Sequence, residues 1–244
     1  MASSTAGGHC FLLALLLLTS AAYGQLSQNF YTTNCSTLDT IITREVSRVL
    51  FTNPPPQGGR RLFADPPPQG GTLIGGSLLR LFFHDCFVQG CDASVLLNED
   101  VKKGKMLSEK QAGPNLNSLR GFEVIDRIKG EVEKACPGVV SCADILALAT
   151  RAAVVALNGP TWPLLLGRRD STTANQDEAN TDLPSPGSDL DNLIAAFDKK
   201  GFNASELVAL SGFDDFGSAM KKISELGVLT GSNGQVRANC GRVN

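Results

Sequence analysis

Residues 79–97 read LRLFFHDCFVQGCDASVLL, and this stretch decides how the rest of the chain is read. Wound as a helix, it sets Arg80 and His84 four residues apart on one face, with Phe83 beside them. A neutral imidazole next to a guanidinium is an acid–base pair. The imidazole takes and returns a proton, and the guanidinium stabilises developing negative charge. The same spacing also suits an ordinary surface pair. Asp85, Asp92 and Ser94 follow, and Cys86 and Cys91 could close the loop between them into a small ring. Two carboxylates, a hydroxyl and inward carbonyls suit a hard cation such as Ca²⁺. A helix C-terminus with solvated aspartates fits the same letters.

Working outward, helical periodicity dominates and alternating strand patterns are scarce, which predicts an all-α fold. Leu38, Ile41, Ile42, Val46 and Val49 form one apolar stripe. Leu119, Phe122, Ile125, Ile128 and Val132 form another, ended by Cys136 and Pro137. Ser141 to Leu157 reads as a helix opened by a capping box of Ser141 and Asp144 and closed near Gly159. Ser188 opens a helix that closes at Gly201, and Asn203 with Glu206 caps the next. Phe213, Phe216, Met220 and Ile223 stripe the last. Between these elements, LFTNPPPQGGRR at 50–61 is followed by LFADPPPQGGTL at 62–73. This twelve-residue tandem repeat is too short for a solenoid. Its proline triplets predict an extended, solvated insert over 50–73.

At the N-terminus, Cys10 to Leu18 is an unbroken apolar run, and Ala22-Tyr23-Gly24 has the small-x-small form of a cleavage site. The run is too short to span a bilayer. Residues 1–24 are therefore expected to be a signal peptide, with the mature domain at 25–244. Cys10 leaves with the signal. Six cysteines remain, at 35, 86, 91, 136, 142 and 240, an even set that permits 15 pairings in an exported protein. Asn34 and Asn203 head glycosylation triplets. The formal charge is −2 and hydrophobic residues make up 42% of the chain. This balance gives no electrostatic case for nucleic acid or an anionic membrane as partner.

The stretch at 79–97 resembles the distal-site signature of the class III secretory plant haem peroxidases. Other stretches follow in that family's order: SEKQAGPNLNSLRGFEVID at 108–126, CPGVVSCADILALATR at 136–151, GPTWPLLLGRRDS at 159–171, LPSPGSDL at 183–190, ELVALSG at 206–212 and LTGSNGQVRANCGRVN at 229–244. The resemblance implies a haem-peroxidase-like helical fold, haem b and calcium as cofactors, and hydrogen peroxide and small phenolic donors as substrates. It implies that His84 is the distal base, that Arg80 polarises the O–O bond and that Phe83 shields the distal face. Asn115 would accept a hydrogen bond from His84, with Glu109 behind it. Asp85, Val88, Gly90, Asp92 and Ser94 would form the calcium site, Val88 and Gly90 through their carbonyls. Pro184 would lie near the donor entrance. The implied disulfides are Cys35–Cys136, Cys86–Cys91 and Cys142–Cys240.

The chain departs from the family after Gly212. There the family continues into the segment whose histidine binds the haem iron. Here Gly212 runs into Phe213-Asp-Asp-Phe216, which resembles a much later helix, so a block is skipped at the 212/213 junction. The chain has two histidines, His9 in the signal and His84. No haem axial ligand is found, and the fold is expected to be incomplete in its proximal half. The resulting expectation is a secreted, monomeric haem peroxidase of the cell wall or vacuole by descent, with one calcium ion. The alternatives are a non-catalytic secreted calcium-binding helical protein, or an aberrant transcript or gene model of an active peroxidase.

Overall fold

The stripe Leu38, Ile41, Ile42, Val46 and Val49 is buried along one face of a first helix, α1 (Leu38–Phe51). In the computed structural model, residues 26–51, 70–99, 107–212 and 214–244 are described, without the side chains of 70–72. The signal segment 1–24, residues 52–69 of the repeat, and Phe213 lie outside the described residues.

Among the described residues seven further helices follow: α2 (Gly70–Phe87), α3 (Phe122–Ala135), α4 (Cys142–Ala156), α5 (Gln176–Asp182), α6 (Leu190–Asp198), α7 (Ala204–Leu210) and α8 (Phe216–Ile223). Short 3-10 turns occupy Ser94–Leu96 and Glu109–Gln111. Among the described residues there are only isolated β-bridges and no strands, so the all-α expectation holds. α4 is the central element and packs on α1, α2 and α3. Its residues 142–150 are all buried, as expected of a helix surrounded by its neighbours.

Several local expectations need correction. The repeat was expected to be extended over 50–73, but Leu50 and Phe51 close α1 and Gly70 to Leu73 open α2. The proline triplets at 54–56 and 66–68 block helix only around themselves, and these ends lie clear of them. Leu119 lies ahead of α3, and Gly121 at φ +96° starts that helix. The cap of α6 is Asp189 rather than Ser188, accepting from Asn192 N at 2.9 Å. Only half of the Ser141 capping box forms. Ser141 Oγ accepts from Asp144 N at 3.1 Å, but the Asp144 carboxylate turns inward to Arg168, Tyr31 and the Gly167 amide. The box of Asn203 and Glu206 at α7 is complete in both directions.

Three disulfides form with the pairing expected from the resemblance: Cys35–Cys136, Cys86–Cys91 and Cys142–Cys240. The first ties the entry of α1 to the end of α3. The last ties the start of α4 to the C-terminal tail. Among the described residues no helix is long and apolar enough to cross a membrane.

Candidate functional site

α2 carries the candidate acid–base pair. Arg80 and His84 are one turn apart, and Arg80 Nε donates to His84 Nε2 at 3.1 Å. The opposite ring nitrogen, Nδ1, lies 2.6 Å from Asn115 Oδ1. Asn115 Nδ2 donates to the Glu109 carbonyl at 2.8 Å, which leaves Oδ1 as the acceptor toward the imidazole. The Nδ1–H tautomer follows, with the lone pair on Nε2. Glu109 thus supports Asn115 through its backbone. Its carboxylate Oε1 accepts instead from Asn175 N at 3.0 Å.

Burial, opposed by the Asn115 hydrogen bond and aided by the Arg80 charge, brings the His84 pKa down to about 4. The imidazole is therefore neutral across the physiological range and ready to accept a proton at Nε2 once Arg80 releases it. Arg80 is exposed and is held by the carbonyls of Pro114 and Ser118 and by Ser118 Oγ. Phe83 stacks on Phe197 of α6, with ring centroids 5.8 Å apart.

The loop after α2 gathers the expected cation ligands. Asp85 accepts from the amides of Ala93 and Val95, and Asp92 accepts from Ser94 N. The Val88 and Gly90 carbonyls accept short turn hydrogen bonds from Gly90 N and Asp92 N. Burial, then the neighbouring Asp92 charge, raises the Asp85 pKa well above its ordinary value. Burial pushes Asp92 up to about 6 and Glu109 up to about 8. Ser94 Oγ and Glu109 Oε2 are buried without a hydrogen bond of good geometry, and the Ser94 hydroxyl still lies near enough to Asp92 and Glu109 to offset part of the rise that burial causes in both. Clustered buried carboxylates beside a poorly bonded hydroxyl fit Ca²⁺, which would supply the missing charge balance and coordination. Among the described residues no three His, Cys, Asp or Glu side chains group to bind a metal by themselves, so hydroxyl and carbonyl donors would complete the shell.

Beside Arg80 lies an apolar cavity of about 290 Å³ between α2, α6, α7 and α8, walled by Leu79, Phe83, Phe197, Leu210, Phe216 and Met220 among others. Pro184 sits half-buried in the α5–α6 connection and does not line it. Haem iron needs an imidazole, thiolate, thioether or phenolate ligand. His84 Nε2 is engaged by Arg80, and the six described cysteines are in disulfides. Tyr31 Oη donates to Asp144 at 2.8 Å, and Met220 is a buried core residue. These residues do not fit an iron-ligated haem.

Sequence reasoning missed the buried ionic frame behind the loop. Arg168 and Asp144 pair at 2.8 Å with both side chains fully buried. Arg237, also buried, donates to the Ala93 and Cys240 carbonyls and lies 3.7 Å from Asp170. Charged residues are almost always exposed, so letters alone pointed them at solvent.

A family model described as "Peroxidase" matches residues 63–241. "Peroxidase 2" of Oryza sativa subsp. indica is 45% identical over 241 residues, covering 95% of this chain and 67% of that protein. "Peroxidase 70" of Zea mays is 45% identical over 251 residues, covering 98% and 70%. "Peroxidase 15" of Ipomoea batatas is 49% identical over 207 residues, covering 85% and 57%. The crystal structure of the TL29 protein from Arabidopsis thaliana shares the fold, with a TM-score of 0.54 at 16% identity over 80% of this chain and 95% of that one. With a family model matching residues 63–241 and relatives of this identity over this span, the chain belongs to the plant peroxidase family.

Proposed function

We propose that this chain is a secreted plant peroxidase that keeps the peroxide-handling half of the family's site and lacks the side chain that would hold the haem iron. The observation that carries this reading is the engagement of every described candidate ligand. His84 is tied to Arg80 and Asn115, Tyr31 to Asp144, and each described cysteine to another. The skipped block after Gly212 accounts for the missing ligand.

In this reading the chain's own residues still define the family's chemistry, reduction of hydrogen peroxide at the expense of a phenolic donor. His84 Nε2 is the proton acceptor, Asn115 holds its tautomer, and Arg80 is the positive charge beside the peroxide oxygens. Haem, when bound by a peroxidase, supplies the electrons for O–O cleavage. Export is supported by the leader-like run at 1–24 and by three disulfides. Asn34 and Asn203 are both exposed, as glycan acceptors must be.

Expression with haem, followed by a Soret spectrum, tests this function: a stoichiometric, tightly held haem would overturn it. Amplification of the transcript across the Gly212–Phe213 junction tests whether the skipped block belongs to the expressed protein. A second reading, a non-catalytic calcium-binding helical protein, is favoured by the poorly bonded Ser94 Oγ inside an acidic loop.

A further inference from the structure

The sequence contains two Asn-Gly dipeptides, Asn158-Gly159 and Asn233-Gly234. In such a pair the glycine amide can attack the asparagine side chain, because no Cβ shields the nucleophile. Both asparagines are exposed, but the two glycine amides differ. Gly159 N donates to Val154 O at 2.8 Å in the turn that ends α4, and Asn158 N donates to Val155 O at 3.0 Å. That nucleophile is taken. Gly234 N has no hydrogen-bond partner among the described residues, and neither has the Asn233 side chain.

The loop around Asn233 is held at both ends and free at its tip. Leu229 O accepts from Arg169 N at 2.8 Å, and Gln235 exchanges two hydrogen bonds with Asp170, at 2.8 and 2.9 Å. Between these anchors residues 231–233 are exposed. Gly234 takes φ +88°, and a Cβ there would lie 2.6 Å from Asp170 O, so this position has room for glycine alone.

We propose that Asn233 is a self-modification site, where the folded chain converts an amide into a carboxylate through a succinimide, while Asn158 is protected by the fold. The Gly234 nitrogen loses its proton and bonds to Asn233 Cγ. The Cγ–Nδ2 bond breaks, and Nδ2 leaves with that proton as ammonia. Water then opens the cyclic imide. Attack at Cγ gives aspartate, and attack at the backbone carbonyl gives isoaspartate. The balance is one water in and one ammonia out, with no oxidant or reductant. Either product adds one negative charge to the chain's formal −2. The isoaspartyl product also inserts one carbon into the backbone just ahead of Gln235. Its bridge partner Asp170 accepts from Ala143 N and Arg237 N, and Ser171 N donates to Asp92 O. The added carbon therefore falls on the strut behind the acidic loop.

The test incubates the full purified chain at mildly alkaline pH and follows both asparagines by peptide mapping with mass spectrometry. In the folded chain Asn233 is expected to convert about tenfold or more faster than Asn158, whose attacking amide must first break its hydrogen bond to Val154. In the reduced, urea-unfolded chain the two rates are expected to agree within about threefold, because the protection is local structure. Asn233→Gln should abolish the fast conversion and leave the slow one at Asn158. Equal rates in the folded chain, faster conversion at Asn158, or no conversion at Asn233 overturns the inference. So does a rate ratio that survives unfolding. None of these outcomes depends on haem or peroxide, so the proposed function stands or falls separately.

Discussion

Arg80 Nε donates to His84 Nε2 across 3.1 Å, so the acceptor atom of this imidazole is occupied by its own partner. The consequence is a closed resting pair. Any substrate proton must displace the guanidinium, which then becomes free to face the oxygen bearing the developing charge.

The first prediction concerns this imidazole. Burial holds the folded His84 pKa near 4, below its ordinary 6.5. Between those values the folded state binds fewer protons than the unfolded state, so stability rises with pH there. The contribution of His84 is full above about 6.5 and is lost as pH falls toward 4. Proton NMR of the single histidine ring expected in the mature chain should show a midpoint well below 6. A midpoint near 6.5 would mean that the ring is not buried as described.

A second prediction concerns two glycines. Gly90 in the acidic loop and Gly227 after α8 meet backbone to backbone. A Cβ on Gly90, at φ +118°, would lie 2.5 Å from Gly227 O, and one on Gly227 would lie 2.6 Å from Gln89 O. Either alanine substitution is expected to cost about 2–4 kcal/mol through clash and backbone strain. Gly130→Ala, in the exposed middle of α3 with nothing within 4 Å, should instead stabilise by about 0.5–1 kcal/mol. Chemical denaturation of the three variants measures both signs.

Much of this was legible in the letters. Arg80, His84 and Asn115 converge as their motifs implied, because helix spacing fixes i and i+4 and the asparagine is carried on a short turn against it. What escaped was context. Asp144 reads as a capping-box residue, yet the pull of a buried Arg168 outcompetes the helix end for its carboxylate. Glu109 reads as a carboxylate behind Asn115, yet it is the backbone carbonyl that does the holding. Side-chain and main-chain acceptors at one residue cannot be told apart from sequence. Asp189 and Ser188 are both good N-caps, and only the register of α6 chooses between them.

The cysteines give a third prediction. The mature chain should contain three disulfides and no free thiol, so that a thiol reagent applied to denatured, unreduced protein finds none. Cys35 and Cys136 are 101 residues apart in sequence. Removing that bridge should cost about 4–5 kcal/mol in the chain-entropy description.

The fourth prediction concerns calcium. One ion should bind at Asp85, Asp92 and Ser94 with the Val88 and Gly90 carbonyls, and no second ion elsewhere. The buried Ser94 hydroxyl without a hydrogen bond of good geometry is the local reason. Ser94→Ala is expected to weaken binding by about tenfold, with the loss of one oxygen ligand, and to leave the calcium-free fold nearly unchanged. Metal analysis after dialysis settles the stoichiometry, and a value near two or near zero defeats the claim.

The last prediction is that the chain, made as written and supplied with haem, oxidises guaiacol with hydrogen peroxide no faster than free haemin. The distal groups are assembled, but a general base contributes only about 10²–10⁴-fold by itself. That contribution is realised only if the peroxide is held between His84 Nε2 and a fixed redox centre. Here Arg80 occupies Nε2, and Met220, the sole described thioether, is packed in the core. If His84 were recruited as an iron ligand, its lone pair would be consumed and the base lost. Either way the proton transfer and the redox centre are not brought together. The decisive comparison is between the chain and its His84→Ala variant. Equal rates, both at the free-haemin level, are expected. Turnover well above free haemin that the variant abolishes would show that another residue holds the iron and that the distal pair opens during the reaction.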